Sequence, residues 1–326
     1  MQSFLLCILV LSVIFVNGWT DAPNSITSVV ATKTLSFRQA TLFAAFFDLA
    51  GVLITSLLCP TVAHTVFTIV DFGNNSDAAL TALQATLLSI VIWAILAWYF
   101  GIPTSESHAL ISGLTGAAIA LHGNFSGVCA EAWVKVLAGL ILSTACGALI
   151  GRYAARHLLL RGLSSSQVRK GQLLCSASIS FFHGAQDGQK FLALLFLVRT
   201  LAQGQIAQVF VVSLPSAILC SAVMATGVLC GGQRIINTIS QGMDGLTRRQ
   251  GLAADFSGTA CLFAASLLGF PVSTTHTKIS AVFGAGQAAS ASPGKRCIAV
   301  RILLIWLATF PCCGFLSWAL ARLMLL

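Results

Sequence analysis

The stretch "GIPTSESHALISGLTG", residues 101–116, sets Thr104, Ser105, Glu106, Ser107 and His108 between two runs that otherwise read as lipid-facing helix. A second stretch, "GFPVSTTHTKISAVFG" at 269–284, aligns with it without a gap. Gly101 pairs with Gly269, Pro103 with Pro271, Ser105 with Ser273, His108 with His276, Ile111 with Ile279, Ser112 with Ser280 and Gly116 with Gly284, so seven of sixteen positions agree. Upstream, "NGWTDAPN" at 17–24 and "HGAQDGQK" at 183–190 share Gly18/Gly184 and Asp21/Asp187. The two pairs of stretches have nearly the same separation in the chain, which is the mark of an internal duplication.

The chain around them belongs in a bilayer. Of 326 residues 57% are hydrophobic and 8% charged, against about 25% charged in a soluble globular protein. Charge-free runs at 1–20, 78–105, 107–130, 200–233, 256–277 and 302–321 each reach the roughly 20 residues that cross hydrocarbon as a helix. Shorter runs at 136–151 and 171–186 are further spans, giving about eight to ten crossings plus segments that only re-enter. A β-barrel is disfavoured because the runs lack period-two alternation. No Lys or Arg precedes the first apolar run, so it reads as a helix rather than a signal peptide. The eleven cysteines are scattered with no CxxC, which suggests neither a zinc site nor a disulfide framework. The expected fold is an all-α polytopic membrane protein made of two inverted-topology repeats, 1–151 and 171–326, joined by a basic linker at 152–170.

The inversion follows from charge. Lys and Arg gather in cytoplasmic loops. The region 59–81 has none, whereas its counterpart near 231–251 holds Arg234, Arg248 and Arg249; 122–132 has none, whereas 286–297 holds Lys295 and Arg296. The linker carries Arg152, Arg156, Arg161, Arg169 and Lys170. It should be cytoplasmic, with both termini outside. The formal net charge of +9 therefore reflects topology, and membrane lipids rather than nucleic acid are the expected surroundings.

A Gly/Pro break in an apolar span is tolerated only where it is buried in protein or lines a wet cavity. The G-x-P at 101–103 and 269–271 should end one helix, and the hydroxyl residues that follow should begin another. Ser105, Ser107, Ser273, Thr274 and Thr275 would then lie at helix N-termini, where unpaired N–H groups and the dipole favour an anion; the plainer alternative is that they only cap the restarted helix. Asp21 and Asp187 would be buried carboxylates, which by default mark an ion or substrate pathway, with structural pairing to Lys33 or Lys190 as the alternative. Asn17, Thr20 and Asn24 near the first, and Gln186 and Gln189 near the second, add amide and hydroxyl oxygens fit for a hard monovalent cation, with His183 beside the second. Carboxylates beside an anion site are compatible if the anion carries a proton: hydrogen phosphate can donate to a carboxylate, whereas sulfate can only accept. His108 and His276 read as hydrogen-bonding supports or proton relays, and two histidines alone make a weak case for a transition metal. Asp48 and Asp255 fit interhelical hydrogen bonds as well as transport roles, and Lys278 fits either the anion or a lipid phosphate.

These elements resemble the inorganic phosphate transporter (PiT) family, whose halves each carry a signature close to G-x-N-D-x-A-N and a re-entrant P-V-S-T-T-H. "NGWTDAPNSITSVVATKTLSFRQA" is similar to the first signature region, "FFHGAQDGQKFLALL" to the second, and "GFPVSTTH" matches the hairpin. The resemblance runs from about residue 10 to 325 and implies two Asp-bearing broken helices and two re-entrant helical hairpins enclosing phosphate at the midplane. It implies no enzyme activity and no cofactor, with Na+ (favoured) or H+ as coupling ion, residence in the plasma or inner membrane, and a homodimer. By this similarity Asp21, Ser105, Ser107, Asp187, Ser273, Thr274 and Thr275 bind phosphate; Asp21, Asn24, Asp187 and Gln189 bind the cation; Glu106, His108, His183 and His276 support the site or carry protons. Thr20 and Gln186 replace signature asparagines and Glu106 replaces a hairpin Thr, adding a third carboxylate that can make coupling pH-dependent. Another oxyanion such as sulfate on the same scaffold, an intramembrane enzyme and an ion channel are the competing functions; symmetric polar copies disfavour the enzyme, twofold inverted symmetry with broken helices fits alternating access better than a channel, and competition with labelled phosphate separates a sulfate carrier. An epitope inserted at Gly162 should be detected only from the cytoplasmic face and one at the N-terminus only from outside; detection of both on one side would remove the expected topology.

Overall fold

The computed structural model describes residues 2–204, 210–242, 246–287 and 293–326, and among them all regular structure is helical except an isolated bridge between Val70 and Val128. Helix α1 (Gln2–Thr20) gives way at Asp21 and Ala22 to a turn and then to α2 (Pro23–Ala31), with Pro23 in the first turn, where its missing N–H has no partner to lose. A capping box of Ser36 and Gln39 starts α3 (Phe37–Leu58), α4 (Thr61–Phe67) follows Pro60, and Asn75 caps α5 (Ser76–Tyr99). The first half closes with α6 (Glu106–His122), a 3-10 turn at Phe125–Gly127 and α7 (Ala130–Leu160). The second half runs α8 (Ser165–Ala202), α9 (Leu214–Cys230), α10 (Gln233–Gly242), α11 (Arg248–Leu268), α12 (Thr274–Gln287) and α13 (Pro293–Met324).

Among the described residues six helical stretches are long and apolar enough to span: Phe4–Ala31, Phe37–Leu58, Ser76–Tyr99, Ala130–Leu158, Arg248–Leu268 and Ile302–Met324. Large apolar side chains such as Phe46, Leu58, Val134, Ile141, Leu149 and Phe315 stand exposed, as a bundle solvated by lipid requires. The protein is a polytopic all-α membrane protein.

Several expected spans differ from what forms. The run 107–130 is not one crossing: α6 stops at Gly123, which takes φ +73 as C-cap, and α7 begins at Ala130. The 17-residue α6 rises only about 26 Å at 1.5 Å per residue, short of the ~30 Å hydrocarbon layer, and like α12 it starts inside the protein. Their N-termini are buried rather than exposed to a headgroup region. Helix α3 is a further span that Asp48 divides in sequence, and the charge-free run 49–70 that follows Asp48 is itself broken at Cys59 and Pro60, between α3 and α4. The run 200–233 is divided by the end of α8 at Ala202 and the start of α9 at Leu214. Only the first aspartate lies at a helix break; Asp187 sits inside α8, an unbroken helix of 38 residues. The basic segment 152–170 is mostly helix, since α7 runs to Leu160 and α8 starts at Ser165. Arg249 holds this corner by donating to the carbonyls of Leu158, Arg161 and Leu163 at 2.8–2.9 Å.

Packing interleaves the two halves. Helix α1 lies on α9 as α8 lies on α3, and α6 lies on α13 as α12 lies on α7. Glycines make these approaches close: a Cβ on Gly18 or Gly227 would overlap backbone across the α1–α9 contact, and one on Gly51 or Gly184 would overlap backbone across α3–α8. In a bilayer, where lipid tails are as apolar as leucine, such small-residue seams let van der Waals contact hold helices together. Gly184→Val forces Asp48 and its backbone away and should destabilise the protein by about 1–3 kcal/mol or more. Thermal unfolding in detergent measures this against Gly162→Val, which meets nothing within 4 Å and should leave the midpoint unchanged.

Candidate functional site

The two hairpins begin alike. Gly101 and Gly269 take φ of +64 and +69, left-handed values that side chains resist, and the Pro-containing extended segments that follow lead to Ser105 and Ser273. Ser105 Oγ accepts from His108 N at 3.3 Å and Ser273 Oγ from His276 N at 3.2 Å. These two serines are the N-caps of α6 and α12, as sequence spacing suggests. The helix starts face one another: the His108 and His276 rings meet edge to face with centroids 4.4 Å apart. Helix α13 brackets them, Phe310 stacking on His108 at 4.3 Å and Trp306 on His276 at 3.6 Å. Trp306 Nε1 also donates to Pro103 O at 3.3 Å.

Asp187 lies between the two starts. Its Oδ1 accepts from Lys190 Nζ at 2.7 Å and Ser107 Oγ at 3.4 Å, while Oδ2 accepts from Asn17 Nδ2 at 3.2 Å and Thr274 Oγ1 at 3.4 Å. His183 Nε2 approaches Oδ2 at 3.5 Å and its Nδ1 is 2.6 Å from Asp48 Oδ1, so Asp48 links α3 to α8 through the histidine. Asp21 is held by the Thr275 hydroxyl and by Asn24 Nδ2 at 2.7 Å, and the Thr20 hydroxyl meets Glu106. Every one of these side chains is buried. Elements far apart in sequence thus place three carboxylates, Asp21, Glu106 and Asp187, in one buried cluster with hydroxyls of both hairpins.

The cluster contains unanswered acceptors. Among the described residues Asn17 Oδ1, Asp21 Oδ2, Asn24 Oδ1 and Glu106 Oε2 are buried with no hydrogen-bond partner, a condition that native proteins avoid unless an ion, a water or a ligand completes it. Ligand atoms of Asp21, His183 and Asp187 lie within 4.8 Å of one another, close enough to share a cation.

Asp21, Asn24, Ser105, Glu106, Ser107, His108, His183, Asp187, Ser273, Thr274, Thr275 and His276 all belong to this region. Gln189 does not. Its Oε1 accepts from the backbone N–H groups of Val62 and Ala63 at 3.0 and 3.2 Å, and its Nε2 donates to Cys59 O at 3.1 Å. It therefore caps α4 instead of offering an oxygen beside Asp187; its direction along α8 turns it out of the cluster. Gln186 likewise turns to Ser266 Oγ at 3.0 Å. Asp255 and Lys278 form a separate buried pair, with Ser28 Oγ 2.9 Å from Lys278 Nζ. The residue that sequence reading undervalued is Lys190: its i,i+3 spacing from Asp187 signals pairing, but not its contact with Ser107.

A lipid-spanning bundle that gathers helix N-termini, carboxylates and hydroxyls from both halves of its chain into a buried centre defines a membrane solute transporter rather than an enzyme. The comparisons give the family: residues 17–167 and 155–317 match the sequence profile of the Phosphate transporter family, and the chain belongs to it. A "Probable low-affinity inorganic phosphate transporter" of Rhizobium meliloti (strain 1021) is 35% identical over 93% of this chain and 90% of its own. A protein of the same description from Bacillus subtilis (strain 168) is 29% identical over 95% of this chain and 93% of its own. A solved structure described as "The sodium-dependent phosphate transporter" has the same fold, with TM-score 0.87 at 20% identity over 99% of this chain and 98% of that one.

Gln189→Ala strands two buried N–H groups and should destabilise the protein by about 1–3 kcal/mol without altering the cation dependence of transport. Thermal unfolding and a sodium titration of phosphate uptake separate the two effects; a shifted sodium titration would return Gln189 to the cation site.

Proposed function

We propose that this protein imports inorganic phosphate by symport with a cation, sodium before proton, and that a centrally buried site opens alternately to the two sides. The observation that carries the reading is the confrontation of two capped helix N-termini, at Ser105 and Ser273, across Asp187. Hydroxyls of Ser107, Thr274 and Thr275 and the helix starts suit phosphate oxygens, while a phosphate O–H can donate to Asp187 or Asp21 in a way that sulfate cannot. The descriptions of the relatives support phosphate, and the sodium dependence named for the solved transporter of the same fold supports sodium. The recurrence of helix order and packing in the two halves supports a duplicated scaffold. Lys/Arg placement supports opposite insertion of the copies in the plasma or inner membrane, with both termini outside.

In this reading the coupling ion sits at Asp21 and Asn24, where the unpaired oxygens Asp21 Oδ2 and Asn24 Oδ1 lie with those of Asn17 and Glu106. A cation there lets phosphate enter beside carboxylates that would otherwise repel it. The Thr20–Glu106 contact favours a second version in which Glu106 takes up and releases the coupling proton.

Purified protein in proteoliposomes should accumulate labelled phosphate under an inward sodium gradient and not under an equal choline gradient, with excess sulfate failing to compete. Asp21→Asn should reduce uptake to background while the protein remains folded, and Asp187→Asn should do so with a loss of stability, because it leaves the buried Lys190 without its carboxylate. Uptake driven equally well by choline but raised by an inward proton gradient moves coupling to Glu106; uptake by both asparagine variants at the wild-type rate overturns the mechanism.

A further inference from the structure

The two aspartate elements build the same arrangement with one difference. Asn24 follows Asp21 by three residues and Lys190 follows Asp187 by three. In the first arrangement Asn24 Nδ2 donates to Asp21 Oδ1 at 2.7 Å and to Thr275 Oγ1 at 2.8 Å, and the Thr275 hydroxyl also contacts Asp21. In the second, Lys190 Nζ donates to Asp187 Oδ1 at 2.7 Å and to Ser107 Oγ at 2.6 Å, and Ser107 Oγ lies 3.4 Å from Asp187 Oδ1. Ser107 and Thr275 occupy the same place in the two aligned hairpins. Each triangle is therefore aspartate, hairpin hydroxyl and the residue three positions beyond the aspartate.

What differs is charge and occupancy. Lys190 Nζ has a third acceptor, Val272 O at 2.7 Å, so its three N–H donors meet one carboxylate, one hydroxyl and one backbone carbonyl oxygen. That is an oxygen set suited to a hard monovalent cation, with an ammonium at its centre. Lys190 is 0% exposed, and a charge so deeply buried persists only with full pairing. The Asn24 triangle keeps Asp21 Oδ2 and Asn24 Oδ1 unpartnered among the described residues, and Asp187 has no such oxygen.

We propose that Lys190 is a tethered cation: its ammonium permanently fills the second of two equivalent cation cradles, leaving the Asp21–Asn24–Thr275 cradle to exchange its ion during transport. The inference rests on the reading of the protein as a cation-coupled phosphate carrier and specifies that reading's ion stoichiometry. The fixed charge neutralises Asp187 in every state of the cycle and stays beside the hairpin hydroxyls that face the anion. One fewer free ion is then moved per phosphate than in a carrier with neutral residues at both positions.

The experiment compares the full-length wild type with Lys190→Asn and Lys190→Gln, measuring bound 22Na+ by equilibrium dialysis and the sodium dependence of thermal unfolding, with N-methylglucamine chloride as ionic-strength control. The wild type should bind at most one sodium per chain. Either variant should bind one more, and sodium should raise its unfolding midpoint by more than it raises that of the wild type. A purely structural ion pair predicts variants destabilised without sodium rescue, and superimposable sodium titrations overturn the proposal. Two sodium ions bound per wild-type chain overturn it as well, and that measurement decides the matter alone if neither variant folds. Wild-type phosphate uptake separates the two readings: uptake without a sodium gain in the variants sinks the tethered cation only, whereas a sodium gain in a protein that carries no phosphate sinks the carrier reading and leaves the cradle assignment standing.

Discussion

Asp187 can exist at the centre of a lipid-spanning bundle only because both its oxygens are answered. Removing a carboxylate from water carries a penalty of several kcal/mol that only close pairing and hydrogen bonding offset, and here the partners come from four helices: Asn17 on α1, Ser107 on α6, Lys190 on α8 and Thr274 on α12. That requirement organises what surrounds it. It brings the two hairpin starts within reach of one side chain, fixes the rotation of α8, and places His183 where it can also engage Asp48. The long unbroken α8 serves as the rail on which these contacts are set, while the other aspartate sits at a turn and leaves an oxygen open.

The hairpins were the most legible part of the chain, because glycine with positive φ, proline and a capping serine are local devices whose geometry does not depend on partners. Gly101 to Ser105 and Gly269 to Ser273 form as their residue types dictate. Buried charges blurred the limits of other helices: Asp48 divides α3, and α8, expected as a span only over 171–186, runs on through Asp187 and Lys190, since a search for charge-free runs treats a buried, paired charge as though it faced lipid. The extent of 107–130 was misjudged for the converse reason. A half-helix enclosed by protein is as apolar as a span, and only Gly123 marks where it ends.

Within the site, residue type located the cluster and tertiary direction decided its membership. Gln189 carries a suitable oxygen and adjoins Gly188 and Lys190 in sequence, yet it faces α4, because a single helical step rotates a side chain out of a narrow centre. Nor did the sequence alone reveal that Trp306 and Phe310, on the last helix, would flank the two histidines; aromatic residues in an apolar run carry no signal of which rings they meet. The pairing of Asn24 with Lys190 was present in the aligned stretches, but its meaning appeared only when both were seen holding the same triangle of oxygens.

The glycine seams bear on how such a molecule can move. Gly18 and Gly227 join α1 to α9, and Gly51 and Gly184 join α3 to α8, so each seam stitches one half of the polypeptide to the other. Two sequence halves laced in this way cannot part along the midpoint of the chain without tearing both seams. Helices α5 and α11 tie these seams to the hairpins, α5 packing on α1, α6 and α13, and α11 on α8, α7 and α12. The seams thus close the chain around the polar centre, where Asp187 of α8 meets the starts of α6 and α12.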